Sequence, residues 1–286
     1  MPIHIAIIGK GKWGSKLING FSLRKDLFNV KHVANSKYDL QKIWDDRSVE
    51  GIVIATPNNT HIAIAEAALY SGKHVWVEKP LCETYEDTLF IQDVAEEADK
   101  TVYTDYIMTL SPSIQHMAKL VVPDQVNYVN IAICRNSDSD SDCYDVLGSH
   151  AISITEALGL KWGYGDCVSK NLRMFGKKCV TSIIGFHLGD DGIGSIYLDT
   201  EAPSKETKVS IYQRGFHLHY NMFDTIPLKC YGEGDNNWCM ENDEFRGIDR
   251  AITHWHDILC GKIGDNLELS EEVSAKLQRL RINNVI

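Results

Sequence analysis

Ile3-His-Ile-Ala-Ile-Ile8-Gly9-Lys-Gly11-Lys-Trp-Gly14 is the stretch that decides the fold. A short isoleucine-rich run ends in a glycine turn, and a helical pattern follows from about Lys12 to Phe21. A short apolar run bounded by a turn suits a buried strand. Gly9-x-Gly11-x-x-Gly14 then has the spacing of a dinucleotide-binding turn, after a strand and opening a helix. In that reading Gly9 permits the tight turn, Gly11 lets the backbone approach a pyrophosphate, and Gly14 lets helix pack closely on strand. Free N–H groups and the dipole at the helix start favour the phosphates. Lys12 and Trp13, inside the turn, join the cofactor-binding set. A glycine turn of no function has the same spelling, so the flanking strand and helix carry the inference.

Outward from this turn the pattern repeats. Strands are expected at Val30–Ala34, Gly51–Ala55, His74–Val77 and Thr101–Tyr106, with helices around Leu40–Asp45, His61–Ser71 and from Thr84 to about Lys100. Asn58, Asn59 and Thr60 are N-cap candidates, Gly72 is a helix stop, and Thr84 with Asp87 fits a capping box. Strands alternating with helices predict an α/β Rossmann domain with a parallel sheet. After about Pro123 the pattern changes. Val126–Cys134, Cys167–Phe175, Val180–His187, Gly194–Glu201, Thr207–Gln213, Phe216–Phe223 and Pro227–Tyr231 read as strands joined by hairpin-like turns. One helix interrupts them at about Ser149–Leu158, and two close the chain at about 244–260 and 270–282. This predicts an α+β C-terminal domain with a mainly antiparallel open sheet. The expected division is 1–122 for NAD(P) binding and 123–286 for substrate binding and oligomerisation. Asn136–Asp142 (NSDSDSD) reads as a mobile polar loop.

The chain has 286 residues, 44% hydrophobic and 24% charged, which suits two globular domains. A net charge of −10 disfavours nucleic acid and anionic membrane as partners. The eight cysteines include no CxxC pair, and no apolar run reaches membrane-spanning length. Reduced thiols and a cytoplasmic location are expected.

The segment after the second strand is Asn35-Ser36-Lys37, about 21 residues past Gly14, with no acid before Asp39. An acid there would bind the ribose 2′-hydroxyl of NAD; its absence beside a cation leans to NADP, with NAD as the alternative. A solvated loop role for Lys37 also fits. Thr56-Pro57-Asn58-Asn59-Thr60-His61 and Glu78-Lys79-Pro80 follow two parallel strands at their carboxyl ends, where open α/β sheets bind ligands. A lysine there can donate a hydrogen bond or proton to an oxyanion, although on the residues alone a plain surface lysine is the favoured reading of Lys79.

Gly9–Gly14, Thr56–His61, Gly72-Lys73-His74-Val75 and Glu78-Lys79-Pro80 together resemble the Gfo/Idh/MocA oxidoreductase family, with Glu-Lys-Pro the specific element. The resemblance runs through most of the first 112 residues, including Thr104-Asp105-Tyr106 and Ser111-Pro112. It resumes at Gly148-Ser149-His150 and at the terminal helix Phe245–Gly261. It implies that Lys79 is the catalytic lysine, that Glu78 shapes the cofactor pocket, and that Thr56, Pro57, Asn58 and His61 line the dinucleotide. His150 would be the substrate-side acid/base residue. Many members carry an acid one turn after that histidine; here Ser153 stands there, and Asp145 is the nearby acid that would replace it.

Other motifs have plainer readings. His217-x-His219 shares a strand face without a third ligand, so no metal is expected. His254-x-His256 does not share a helix face. Trp76, Trp162, Trp238 and Trp255 read as core or interface, and Cys82 as packing. Arg135-Asn136 reads as surface or as a contact to a substrate hydroxyl or carboxylate. The resulting expectation is hydride transfer between a nicotinamide and a small sugar-like or polyhydroxylated substrate, by a homo-oligomer (dimer or tetramer). Reduction of an imine or C=C bond, and a non-catalytic dinucleotide sensor or scaffold, are the alternatives.

Overall fold

Side-chain parity along the first strand separates two cores. In the computed structural model, which describes residues 1–137, 142–163, 167–176, 178–232, 237–240 and 247–283, the run Ile3–Ile8 is strand β1. Its Ala6 and Ile8 face a cluster with Ile52, Ile54, Val75, Val77 and Val102, closed by Ala65, Ala68, Leu69, Ile91 and Val94. Ile5 and Ile7 alternate to the other face and are fully buried as well. There Phe21, Phe28, Trp76, Tyr103 and Trp255 form an aromatic group. Burial on both faces explains why these strands read as unbroken apolar runs.

The first sheet joins β1 to β2 (Phe28–Ala34), β3 (Gly51–Ile54), β4 (His74–Val77) and β5 (Val102–Thr104). All its pairings are parallel and the order is β2-β1-β3-β4-β5. The order reverses between β1 and β3, and ligands bind outside the carboxyl ends of strands at such a switch point. Helices α1 (Lys12–Leu23), α2 (Gln41–Trp44), α3 (His61–Tyr70) and α4 (Tyr85–Glu97) connect the strands. Gly72 ends α3 with φ of 74°, and Thr84 Oγ1 accepts from the Asp87 backbone N–H at 3.0 Å, both as expected. Asn58–Thr60 does not cap α3 through side chains. It forms a 3-10 turn running straight into the helix, and Thr60 Oγ1 donates to the Pro57 carbonyl instead.

The second sheet has the order β13-β12-β11-β10-β6-β9-β8-β7. Its strands are β6 (Val126–Asn136), β7 (Cys167–Phe175), β8 (Lys178–Leu188), β9 (Gly192–Asp199), β10 (Glu201–Gln213), β11 (Phe216–Asn221), β12 (Leu228–Gly232) and β13 (Trp238–Met240). Every pairing is antiparallel except β6 with β9. Two elements escaped the sequence reading: α5 (Pro112–Leu120) and the short β13. Residues 138–141 of the Asn136–Asp142 segment lie outside the described residues.

The chain divides into two compact units, Met1–Ile107 with Arg246–Ala275, and Met108–Phe245 with Lys276–Ile286. This departs from a contiguous split at residue 122. Helix α7 (Gly247–Leu259) returns to the first unit because Trp255 stacks on Phe28 at 5.2 Å and meets Phe21 and Trp76 edge-on. The first part of α8 (Leu267–Asn283) follows: Ser270 Oγ donates to Thr104 Oγ1, and Thr88 Oγ1 to Ser274 Oγ. Helix α5 belongs with the second sheet, where the Val122 N–H donates to Gln213 Oε1 at 3.2 Å. All eight cysteines are free thiols, and no described helix is long and apolar enough to cross a membrane.

Candidate active site

The glycine turn is built from three different constraints. Gly9 has φ of 111°, and a Cβ there would lie 2.2 Å from the Ala55 carbonyl oxygen. A Cβ on Gly14 would lie 2.2 Å from the Gly9 carbonyl oxygen. Both glycines are therefore demanded by backbone packing at the β1–α1 junction. Gly11 has nothing within 4 Å of its missing Cβ. The turn is thus closed beneath and open above. Gly11 caps α1 without any side-chain bond, and the first turn of α1 holds no acid. Its leading N–H groups are consequently not taken by a side chain of their own cap.

Trp13 reaches from α1 to the end of β4, where its Nε1–H donates to Glu78 Oε1. Lys16 Nζ lies 4.9 Å from the centre of the same indole ring. At the end of β2, the Asn35 side chain accepts from the Lys37 N–H at 3.0 Å, so Asn35 shapes the turn. Ser36 and Lys37 are exposed. Asp39 Oδ1 accepts from the Gln41 N–H, so that acid is engaged at the start of α2.

The loops after β3 and β4 are tied together by His61. Its ring is fully buried, with Nδ1 2.9 Å from the Pro80 carbonyl oxygen and Nε2 3.1 Å from that of Thr56. Burial lowers its pKa despite the two carbonyls. The neutral ring can donate to one of them. So enclosed, the side chain braces Thr56–Pro57 against Lys79-Pro80, whose peptide bond is cis. Thr56 Oγ1 lies 2.7 Å from Thr60 Oγ1, and Pro57 and Asn58 lie on the same turn.

Glu78 and Lys79 stand at the carboxyl end of β4 beside Asp105, which follows β5. The carboxyls of Glu78 and Asp105 are in hydrogen-bonding contact, and Lys79 acts on both electrostatically. Asp105 is 1% exposed. Burial, then mutual repulsion, pushes Glu78 well above the usual carboxylate range; burial pushes Asp105 up to about 7. Asp105 and its partner Tyr103 were not singled out from sequence, although an acid at the carboxyl end of a parallel strand is the signal that would have marked them. Cys82, close after Lys79, is buried and its thiol is pushed up to about 12, which fits packing.

His150 and Asp145 belong to the second unit, His150 in α6 (Ser149–Ala157) and Asp145 in the preceding turn 144–148. Ser153 is fully buried and its hydroxyl donates to the His150 carbonyl at 3.0 Å. Asp145 does not take the place of an acid at position 153. Its Oδ1 accepts from Arg281 Nε at 2.9 Å and also from Nη2, because the turn aims the carboxylate at the end of α8. Arg135 is directed at the same turn and donates to the Val146 carbonyl at 3.0 Å; burial lowers its pKa. Among the described residues no cluster of three or more metal-ligating side chains occurs.

Residues 27–106 match the model of an oxidoreductase family with an NAD-binding Rossmann fold. Levoglucosan dehydrogenase from Pseudarthrobacter phenanthrenivorans is 41% identical over 63 residues, covering 22% of this chain and 16% of that protein. UDP-N-acetylglucosamine 3-dehydrogenase from Acidithiobacillus ferrooxidans is 28% identical over 109 residues, covering 37% of this chain and 35% of that protein. The matched sequence is thus about a third or less of either relative's length. The solved structure of the Acidithiobacillus enzyme superposes with a TM-score of 0.88 at 15% identity, over 99% of this chain and 98% of that one, which speaks for a common fold. Residues 27–106 thus carry a likeness to the Gfo/Idh/MocA family of oxidoreductases, and the likeness to the solved structure extends the common fold to the rest of the chain.

Proposed function

We propose that the protein is an NAD(P)-dependent dehydrogenase or reductase acting on a small sugar-like or polyhydroxylated substrate. The observation that carries this reading is the turn at Gly9–Gly14, tight against backbone at both ends and open at Gly11, over helix N–H groups with no acid beside them. That arrangement fits a pyrophosphate. When bound, a nicotinamide dinucleotide would accept or donate the hydride. Gly11, Lys12 and Gly14 would hold the phosphates, with Trp13 and Glu78 forming one wall. Thr56, Pro57 and Asn58 would form another, kept in place by His61. Asn35, Ser36 and Lys37 would meet the ribose, and Lys37 would favour the 2′-phosphate of NADP over NAD. Lys79 would hold a proton for the oxygen on the reacting carbon. His150 would serve on the substrate side. The names of the two dehydrogenases matched above support the sugar-like class.

Fluorescence titration of the purified protein with NADPH and NADH tests the proposal. NADPH is expected to bind more tightly, and Lys37→Ala to weaken NADPH but not NADH by about tenfold, or about 1.4 kcal/mol. Gly11→Ala, whose methyl meets no protein atom, is expected to fold normally and bind neither dinucleotide well. Failure of the wild type to bind either one would refute the enzyme reading.

The open face of the second sheet carries Tyr128, Tyr212, His217, His219 and Tyr231 in ring contact. A second copy covering this face would make the protein a dimer or tetramer, in a cytoplasmic setting that suits eight free thiols. Sedimentation at micromolar concentration should show the oligomer; a single monomer boundary would contradict it.

A further inference from the structure

Two carboxylates have only acceptors, so the contact between Glu78 and Asp105 needs a proton. The surroundings leave one place for it. Trp13 Nε1 donates to Glu78 Oε1, and the Tyr103 hydroxyl lies 3.4 Å from Asp105 Oδ1, in position to donate. Asp105 Oδ2 is fully buried and receives no hydrogen bond from any donor the protein otherwise offers. A buried carboxylate oxygen in that condition costs free energy, and a proton between the two acids removes the cost.

We propose that Glu78 and Asp105 hold one proton between them as a buried acid–carboxylate pair, and that Asp105 is thereby a positioning residue that fixes Glu78 and keeps the charge beside Lys79 at a single negative unit. The groups facing the pair are few. Lys79 acts on both carboxyls and favours their ionised forms. Tyr103 faces Asp105 from β5, and its own hydroxyl is held protonated by burial and the two acids. His254 of α7 packs on the Tyr103 ring at 5.6 Å and is kept toward neutral by burial. With one proton shared, the Lys79 ammonium meets one balancing charge, and the Trp13 indole has a fixed acceptor across the turn.

The consequence is a pH signature of known sign. An Asp105 carboxyl free in the unfolded chain loses its proton near 3.8, whereas in the fold it is pushed up to about 7. Between those values the folded state holds a proton that the unfolded chain has released. The pair's contribution to stability therefore falls as pH rises through that window, and the cost is fully present above it. Asp105→Asn supplies an amide that donates to ionised Glu78 without a shared proton. Buried histidines such as His61 push in the opposite direction with pH, so the readout is the difference between variant and wild type rather than either curve alone.

The thermal midpoint of Asp105→Asn minus that of the wild type is expected to rise by roughly 2–4 °C between about pH 5 and about pH 8. Glu78→Gln should behave alike. A difference independent of pH would overturn the proposal, since it would mark a merely structural hydrogen bond. Infrared spectroscopy of the full chain gives a second measurement that needs neither variant to be stable. A protonated-carboxyl band should be present in the wild type at pH 7, where free carboxyl groups are ionised. Absence of the band, or a band unchanged in Asp105→Asn and Glu78→Gln, would also overturn it. Neither measurement uses a dinucleotide or substrate, so this inference stands or falls apart from the proposed activity.

Discussion

Three glycines with one motif name have three separate jobs. Gly14 faces a backbone oxygen 2.2 Å from where its Cβ would sit, and backbone cannot yield as a flexible side chain can. Gly14→Ala should therefore cost about 1–3 kcal/mol of stability, read as a lower denaturation midpoint. A variant as stable as the wild type would show that the junction between β1 and α1 can relax. Gly11→Ala should leave the midpoint unchanged. The spacing was legible in the sequence, but the division of labour was not, because Ala55 and Gly9 meet these positions only after the chain has folded back. His61 illustrates the same limit. The family resemblance implied a place for it beside the dinucleotide, and the packing of α3 turns the ring inward between two carbonyls, which no local pattern foretold.

At the level of elements, local chemistry and tertiary context divide differently. The Thr84 cap and the Gly72 stop were legible because both act within a few residues of themselves. The Asn58–Thr60 segment was not, because the 3-10 turn continues into α3 and leaves no free cap position for a side chain. Strand β10 begins at Glu201, earlier than its apolar alternation, because its first residues pair irregularly with the end of β6. The short β13 has no pattern of its own and exists by pairing with β12. Helix α5 is announced by Pro112 at its first turn. Asp145 lies in a turn whose direction is set by α8, an element more than a hundred residues away in sequence, so its pairing with Arg281 had no local trace.

On the scale of the whole chain, the first unit is not complete without residues 246–275. Trp255 is fully buried and shares an aromatic group with Phe21, Phe28 and Trp76. Trp255→Ala should cost about 3–5 kcal/mol, measured by denaturant unfolding. A fragment ending at residue 122 should fail to give a cooperative transition, since it lacks the helix that covers one face of the sheet. If that fragment melts cooperatively at the midpoint of the full chain, the contribution assigned to α7 is wrong.

The sequence by itself determined the alternation of strands and helices, the parallel sheet, the glycine turn and the Glu78-Lys79-Pro80 segment, because each rests on periodicity or spacing within a few residues. It also determined the change to an antiparallel sheet, through the change to closely spaced hairpins. Only the tertiary structure decided that α7 and the start of α8 return to the first unit, that His61 is a brace, that Asp145 belongs to Arg281, and that Glu78 meets Asp105. The physical reason is common to all four. Each depends on which distant side chain fills a buried space or satisfies a buried polar atom, and one chain's local pattern carries no record of its distant neighbour.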